Sequence, residues 1–233
     1  MEDIRLQARF VRSLELAPEV RHFEFEITDR NEFHFTPGQF VSIKEGIGGR
    51  QVTRAYSIAS PPDGNRFALC LNRVPDGLVS PRLFALEPGE HVEVHEPLGY
   101  FTLRHPERPA AFVATGTGIA PFRSMLLAAI ATSAPITLLF GARHVHGLLY
   151  RAEFEALARQ HAHFQFIPTV TRPDESWQGR AGRVQAHLDE ALAHHAAVPD
   201  VYICGLKEMV DDVRALLKQK GFDRKQIIYE KYD

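Results

Sequence analysis

The sequence predicts two domains of different class: an antiparallel β-barrel over residues 1–104, and an α/β domain with a parallel sheet over residues 109–233. Three observations predict this arrangement. In the first half, short runs of alternating apolar and polar residues are separated by turn signals, as in antiparallel strands. In the second half, apolar runs alternate with helical patterns, as in parallel sheets covered by helices. Residues 104–109, Arg-His-Pro-Glu-Arg-Pro, have the composition of a linker.

Composition and charge narrow the classes of function. The chain has 233 residues, of which 45% are hydrophobic and 24% charged, as in a soluble globular protein. Its net charge of −2 gives no electrostatic reason to expect a nucleic-acid partner. No apolar run is long enough to span a membrane, and the charged N-terminus lacks the apolar core of a signal peptide. We therefore expect a cytoplasmic protein that binds neither nucleic acid nor membrane.

The cysteines and histidines do not indicate a metal site. Cys70 and Cys204 are far apart and match neither a disulfide framework nor a zinc or iron–sulfur motif. The histidine motifs at residues 144–146 and 194–195 lack a third ligand nearby, so we expect them at the surface. The sequence predicts no metal centre.

The elements of the first half follow from alternation and from turn residues. In the second strand, Phe23, Phe25 and Ile27 fall on one face and polar residues on the other. Pro61-Pro-Asp-Gly64 is a strong turn signal. The predicted strands are residues 5–16, 20–28, 40–43, 54–59, 67–74 and 91–95, with one short helix over residues 78–86.

Two places in this half carry possible chemistry. In the first, Arg54 and Tyr56 share one face of a strand, and Ala55 and Ser57 share the other. The Arg54 guanidinium offers a fork for phosphate oxygens, and the Tyr56 ring offers a surface for stacking. An ordinary strand with an exposed arginine would look the same. The second is Gly77-Leu-Val-Ser80, at the start of the short helix, where the serine could cap the helix or help bind a phosphate.

In the second half, special residues follow all four predicted strands. They are Gly116-Thr-Gly118, Gly141-Ala-Arg143, Thr171-Arg172 and Cys204-Gly205. Ligands of parallel sheets bind beyond the carboxyl ends of the strands, so we expect one ligand crevice there. The predicted strands are residues 111–114, 136–140, 163–170 and 201–204, and the predicted helices are residues 121–131, 150–161, 184–193 and 207–220.

The stretch at 110–123 is central to this crevice. A buried strand, a glycine turn and a helix follow one another, and such a turn presents free backbone N–H groups to an anion. Pro121 fits the first helical turn, but it stands where the usual dinucleotide fingerprint has its third glycine. A tight turn without a ligand would share the pattern.

Together these motifs resemble those of the ferredoxin–NADP reductase superfamily, over nearly the whole chain. The resemblance is carried by Arg54-x-Tyr-Ser57, Gly77-x-x-Ser80, Gly116-Thr-Gly-x-Ala-Pro121, Cys204-Gly205 and Glu230-x-Tyr232. It implies a six-stranded flavin barrel followed by a five-stranded nucleotide-binding sheet. It also implies FAD and NADPH as cofactors, with NADH as an alternative to NADPH.

The resemblance also implies roles for flavin-site residues. Arg54 would hold the flavin pyrophosphate, Tyr56 would stack on the isoalloxazine, and Ser57 would lie near flavin N5. The remaining residues implied at this site are Ala55, Leu71, Asn72, Arg73, Gly77, Leu78, Val79 and Ser80.

On the nucleotide side, Cys204 would approach the nicotinamide carbon that gives up hydride, although a cysteine is more commonly a small buried apolar residue. Glu230 would orient the nicotinamide or relay protons, or else be a solvated carboxylate. Tyr232 would stack on the flavin, but Asp233 follows it where plant-type relatives end, and a frayed terminus is the alternative. The catalytic residues implied are Ser57, Cys204, Glu230 and Tyr232. The nucleotide-binding residues implied are Thr115, Gly116, Thr117, Gly118, Arg143, Thr171, Arg172, Arg180, Cys204, Gly205 and Tyr232.

The choice of nucleotide depends on one loop. Thr171-Arg172 resembles the pair that holds the 2′-phosphate in NADPH-using relatives, and Arg143 and Arg180 could join it. Residues 177–184, by contrast, contain Trp-x-Gly and Gly-x-Val motifs like those of NADH-using oxygenase reductases. We favour NADPH.

For the electron acceptor, the resemblance implies a stand-alone, monomeric ferredoxin or flavodoxin–NADP reductase. Its acidic partner would dock on a basic face, to which Arg50, Arg54, Arg73 and Arg82 could contribute. The alternatives are an NAD(P)H:flavin reductase, the NADH-dependent reductase component of an oxygenase, and a regulatory subunit that uses the same scaffold to bind a partner.

Overall fold

A computed structural model describes residues 5–47, 49–131 and 133–232. The chain forms two compact units. One unit comprises Met1–Thr102 together with Ala120–Ala128, and the other comprises Leu103–Ile119 together with Ala129–Asp233. The domain boundary predicted between residues 104 and 109 stays a prediction.

The first unit contains the predicted antiparallel barrel. In the described part of the chain its sheet has six strands, in the order β4-β3-β6-β1-β2-β5, and a bridge between Ile58 and Leu69 joins the two ends of the sheet. The strands are β1 (Arg5–Ala17), β2 (Val20–Ile27), β3 (Phe40–Ile47), β4 (Arg50–Ser57), β5 (Arg66–Asn72) and β6 (His91–His95). The short helix α1 spans Val79–Phe84.

The barrel core is built from the alternating apolar positions that the sequence shows. Phe23, Phe25 and Phe67 are buried, and the rings of Phe25 and Phe67 stack at 5.4 Å between centroids. Burial of one such side chain stabilises the fold by about 1.5–3 kcal/mol. Strand β4 begins four residues earlier than predicted, because it pairs with β3 through a tight hairpin that turns at Gly49 with a φ of +75°.

The second unit contains a parallel sheet with helices on both faces. Its strand order is β10-β9-β8-β7-β11-β12. The strands are β7 (Ala110–Thr115), β8 (Ile136–Ala142), β9 (Phe164–Val170), β10 (Arg180–Ala181), β11 (Asp200–Leu206) and β12 (Ile227–Tyr232). The helices of this unit are α3 (Arg151–Gln160), α4 (Leu188–Ala193) and α5 (Lys207–Gln219), whereas α2 (Ile119–Ala129) belongs mostly to the first unit.

This sheet has six strands among the described residues, where five were predicted. The difference includes β10, which is only two residues long and pairs with β9 at the edge of the sheet. So short a segment carries no alternation that could be read from the sequence. The helix predicted over residues 184–193 is a 3₁₀ turn, Val184–His187, followed by α4.

The C-terminal residues form a strand. Ile227 and Ile228 are buried, and β12 pairs in parallel with β11 along its whole length. The frayed terminus considered for Tyr232 is therefore wrong, whereas Asp233 lies outside the described residues. In the part of the chain described, no helix combines the length and apolar character needed to cross a membrane.

Candidate functional site

The predicted site residues lie in two groups, one in each unit. The first group lies at the end of β4. Arg54 is exposed, Tyr56 is half-buried against the barrel core, and Ser57, the last residue of the strand, is buried. Burial raises the pKa of the Tyr56 hydroxyl to about 12, and the positive charge of Arg54 offsets this only in part. Tyr56 is therefore neutral at physiological pH.

The loop before α1 is closed by two hydrogen bonds. The Gly77 N–H donates to the Val74 carbonyl at 2.9 Å, and the Val74 N–H donates to Ser80 Oγ at 2.9 Å. Among the described residues no side chain caps α1, so the capping role considered for Ser80 is wrong. Its hydroxyl accepts one bond and keeps its own proton for donation. Val74 and Leu78 are each 48% exposed, so apolar surface flanks this loop.

The other predicted flavin-site residues differ in exposure. Leu71 and Val79 belong to the barrel core, so their side chains serve packing. Ala55 and Asn72 are exposed. Arg73 is exposed and lies 3.8 Å from a Glu19 carboxylate oxygen, a distance at which a surface ion pair contributes little.

The second group surrounds the turn after β7. Residues Gly116–Gly118 form a single 3₁₀ turn between β7 and α2. A Cβ on Gly118 would lie 2.6 Å from the Cys204 carbonyl carbon, and a Cβ on Gly205 would collide with Thr115 Oγ1. The turn and the end of β11 can approach this closely only because these positions are glycine.

Thr115 and Gly116 show that the turn after β7 suits a phosphate-bearing ligand. Thr115 Oγ1 is buried and has no hydrogen-bond partner among the residues described. A buried hydroxyl without a partner destabilises a fold unless a ligand or water completes it. Gly116 is exposed, has a φ of +55°, and has open space where a Cβ would be. The residues present fit the dinucleotide pyrophosphate predicted for this turn.

Cys204, Glu230 and Tyr232 lie together where β11 and β12 end. Cys204 is opposite Glu230 in the parallel register, and Leu206 is opposite Tyr232. Burial raises the pKa of the Cys204 thiol well above its usual value, and the Glu230 charge raises it further. A hydrogen bond with the Tyr232 side chain opposes this shift only in part. The thiol is thus a neutral, polarizable group held between a carboxylate and a phenol.

This burial makes a prediction for thiol reactivity. Cys70 and Cys204 are both buried, and no disulfide joins them. Since the thiolate is the reactive form, the raised pKa of Cys204 suppresses its reaction at neutral and mildly alkaline pH. We expect a disulfide reagent to titrate almost no thiol in the native protein at pH 8, and two thiols after denaturation. Rapid modification of one native thiol, assigned to Cys204 by peptide mapping, would contradict the buried position of Cys204.

Two loops at the same edge of this sheet bring three of the predicted residues together. The Thr171 N–H donates to the Ala142 carbonyl at 3.0 Å, and the Arg172 N–H donates to the Arg143 carbonyl at 2.8 Å. Arg143, Thr171 and Arg172 are exposed. Among the described residues, neither of these two guanidinium groups has an ion-pair partner. Two exposed positive charges thus lie on loops whose main chains are hydrogen-bonded to each other.

Arg180 is placed differently. Its Nε donates to Glu190 Oε2 at 2.7 Å, and its Nη2 also contacts the Glu190 carboxylate, so the guanidinium is already neutralised. The role of Glu190 is not evident from the sequence, because nothing there links it to a residue ten positions earlier. Nearby, the Trp177 indole N–H donates to the Arg180 carbonyl at 2.8 Å. The Arg151 guanidinium lies 5.0 Å from the centre of the Trp177 ring.

Two residues of α2 were also missed. Arg123 Nη1 donates to the Ala59 carbonyl at 2.7 Å, and Ser124 Oγ donates to the Ser60 carbonyl at 2.6 Å. Both acceptors lie just beyond Ser57. On the sequence alone, Arg123 and Ser124 are ordinary members of a helix.

The histidines at residues 144 and 146 contact each other. The rings of His144 and His146 stack on each other at 5.4 Å between centroids. Within the described residues, no three His, Cys, Asp or Glu side chains are grouped as metal ligands would be.

Comparison with known families assigns each half of the chain. Residues 7–103 match the oxidoreductase FAD-binding domain family, and residues 112–215 match the oxidoreductase NAD-binding domain family. The first match covers the group at β4, and the second covers the Gly116–Gly118 turn. The chain thus binds FAD and a nicotinamide dinucleotide.

Among curated proteins, the chain is similar to ferredoxin–NADP reductase B of Sorangium cellulosum, with 44% identity over 97% of both chains. It is also 32% identical to the electron transfer component of toluate 1,2-dioxygenase from Pseudomonas putida, over 87% of this chain. It spans only 60% of the length of that second relative.

Solved structures show the same fold. A ferredoxin–NADP+ reductase from Neisseria gonorrhoeae with bound FAD and NADP aligns with a TM-score of 0.86 at 22% identity, over 97% of this chain and 98% of that one. The Amycolatopsis cytochrome P450 reductase GcoB aligns with a TM-score of 0.87 at 25% identity, over 98% of this chain and 69% of that one. The chain therefore belongs to the ferredoxin–NADP reductase family of FAD-dependent oxidoreductases.

Proposed function

We propose that this protein transfers hydride between NADPH and FAD, and electrons between FAD and a ferredoxin or flavodoxin. The observation that carries the choice of NADPH is the presence of two exposed arginines, Arg143 and Arg172, on loops that a main-chain hydrogen bond joins. A 2′-phosphate is recognised by such guanidinium groups, whereas a bare ribose is recognised by an acid. The 44% identical relative from Sorangium cellulosum, named a ferredoxin–NADP reductase, supports the same choice.

On the flavin side, we assign Arg54 to the FAD pyrophosphate, Tyr56 to stacking on the isoalloxazine, and Ser57 to a hydrogen bond with it. Gly77 and Ser80 bind the pyrophosphate from the closed loop before α1. The exposure of Arg54, the neutral half-buried ring of Tyr56 and the retained hydroxyl proton of Ser80 support these assignments. Leu71 and Val79 pack beneath the site in the barrel core, and Asn72 and Arg73 form its edge at the protein surface.

On the nucleotide side, the Gly116–Gly118 turn and the Thr115 hydroxyl bind the dinucleotide pyrophosphate. Cys204 and Gly205 line the nicotinamide position, Glu230 orients the nicotinamide amide, and Tyr232 covers the position until the nucleotide enters. The ion pair between Arg180 and Glu190 removes Arg180 from the 2′-phosphate site, which leaves Thr171, Arg143 and Arg172 for it. When bound, the dinucleotide supplies hydride, and FAD takes up the electron pair and releases electrons singly.

For the electron partner, we propose an acidic ferredoxin or flavodoxin that docks on exposed basic side chains. Arg54 is exposed, and its guanidinium donates to the neighbouring Thr53 carbonyl at 2.9 Å. Arg82 is less suitable than the sequence suggested, because it pairs with Glu90 at 2.8 Å. We also propose a monomer in a reducing cytoplasm, which two thiols without a disulfide support.

A second candidate is an NADH-dependent reductase component of an oxygenase. It is favoured by the similarity to the toluate 1,2-dioxygenase component and by Trp177, which lies in the loop after β9 against Arg151. An NAD(P)H:flavin reductase is the third candidate.

An anaerobic titration of the purified protein distinguishes the three candidates. We expect FAD bands to co-purify with the protein and to bleach at least tenfold faster with NADPH than with NADH, the discrimination typical of one charge-assisted contact. Faster bleaching with NADH would support the oxygenase component. A colourless protein that reduces only added flavin would support the flavin reductase. Transfer from the reduced protein to ferredoxin or flavodoxin is then followed by their own absorption changes.

A further inference from the structure

Helix α2 is fastened to the segment that follows Ser57. That segment, residues 58–60, follows the end of β4, and Ile58 in it bridges Leu69 of β5. The carbonyls of the next two residues accept hydrogen bonds from side chains of α2. Arg123 and Ser124 supply the donors, to the carbonyls of Ala59 and Ser60 at 2.7 Å and 2.6 Å. Ser124 is completely buried. Buried carbonyl groups require such partners, so these bonds hold the segment in one position.

The opposite side of the segment is fixed as well. The Ile58 N–H donates to the Gln39 carbonyl at 2.9 Å, and the Ala59 N–H donates to the Ala68 carbonyl at 2.7 Å. The Ala68 N–H donates in turn to Ser60 Oγ at 3.0 Å. The segment is therefore held by the barrel through its N–H groups and by α2 through its carbonyl groups.

Helix α2 also contacts the turn that carries Gln39. A Cβ on Gly38 would collide with the Phe101 carbonyl and would lie 2.5 Å from Met125 Cε, so α2 packs directly on this glycine. The rings of Phe122 and Phe101 lie 5.6 Å apart. Apolar packing thus fixes the position of α2, and two of its side chains donate hydrogen bonds to residues 58–60.

We propose that Arg123 and Ser124 are positioning residues for Ser57, and that they fix its hydroxyl against the flavin. This inference rests on the proposed function, in which Ser57 touches the isoalloxazine. Ser57 is one residue before a segment whose main chain cannot shift without breaking the two bonds from α2. Displacement of a reacting group by about 1 Å is enough to slow a reaction on the order of 100-fold.

The test is a double-mutant cycle in the FAD-loaded protein. The variants are Arg123→Met, Ser57→Ala and the double variant, and the measurement is the rate of FAD bleaching by NADPH under anaerobic conditions. We expect each single variant to slow this step by roughly 10- to 100-fold, and the double variant to be no slower than Ser57→Ala. Arg123→Lys, which keeps a donor for the Ala59 carbonyl, should restore most of the rate.

Arg159→Met is the matched control, because Arg159 is an exposed arginine on α3. It should leave the rate unchanged. Slowing by Arg123→Met that multiplies with that of Ser57→Ala would overturn the inference, as would failure of Arg123→Lys to restore the rate. If Arg123→Met loses FAD, Ser124→Ala takes its place in the cycle, with Ser124→Thr as the variant that keeps the donor for the Ser60 carbonyl. Multiplicative slowing, or failure of Ser124→Thr to restore the rate, would then overturn the inference. A wild-type protein that binds no FAD would instead refute the proposed function.

Discussion

Substitution Gly118→Ala is expected to weaken both the fold and nucleotide binding. The added Cβ would lie 2.6 Å from the Cys204 carbonyl carbon and 2.8 Å from the Gly205 Cα. Both are backbone atoms, so no side chain can move aside to make room. Overpacking of this kind costs about 1–3 kcal/mol of unfolding free energy. Urea denaturation of the variant measures this loss directly.

The same displacement moves the end of β11, which carries Cys204. We therefore expect the rate of hydride transfer from NADPH to fall on the order of 100-fold in the variant that still folds. Gly46→Ala is the matched control, since Gly46 is exposed on β3 and an added Cβ would have only Gln51 Nε2 near it, at 3.4 Å. Its stability should change by less than about 0.5 kcal/mol. Equal stability and rate in Gly118→Ala and wild type would show that the backbone at this turn shifts at little cost, and would contradict the prediction.

Substitution Arg172→Ala is expected to weaken the use of NADPH selectively. Removing a charge-assisted hydrogen bond to the 2′-phosphate lowers affinity by roughly 10- to 100-fold, while NADH has no such group to lose. The KM for NADPH should rise by this factor at nearly constant kcat, and the KM for NADH should stay almost unchanged. Binding of NADP+ can be followed independently by the fluorescence of Trp177, the single tryptophan of the chain.

Two further variants sharpen this experiment. Arg143→Ala should act in the same direction, because it removes an exposed positive charge from the loop that is hydrogen-bonded to the loop of Arg172. Arg180→Ala should change the ratio of NADPH to NADH much less, because Glu190 already neutralises Arg180. Equal losses with NADPH and NADH in Arg172→Ala would show that this arginine contributes to structure and does not read the 2′-phosphate.

The experiments on Ser57, Gly118 and Arg172 address three separate steps. Ser57, positioned by Arg123 and Ser124, acts on the flavin. Gly118 acts on binding of the dinucleotide pyrophosphate, and Arg172 acts on the choice between NADPH and NADH. A variant that alters only its own step would support the division of roles proposed above. The thiol titration adds a check that does not depend on bound cofactors, because it reports only the burial of Cys70 and Cys204.

Much of the fold could be predicted because its signals are local. Alternation of side chains along β2 placed Phe23 and Phe25 in the barrel core, and both are buried. The apolar runs of β7 and β8 predicted strands covered on both faces, and nearly every residue in them is buried. Strand β10 and the start of β4 were missed or shortened, because their pairing depends on neighbours distant in the sequence.

For this protein, the sequence by itself determined the two classes of domain, the family and the glycine turn at Gly116–Gly118. These depend on residue type and spacing along the chain, which are local quantities. Only the tertiary structure decided that Glu190 neutralises Arg180, that Tyr232 lies on a strand beside Cys204, and that Arg123 and Ser124 hold the segment after Ser57. Each of these depends on a pairing between groups that are not neighbours along the chain, and folding alone brings those groups within reach.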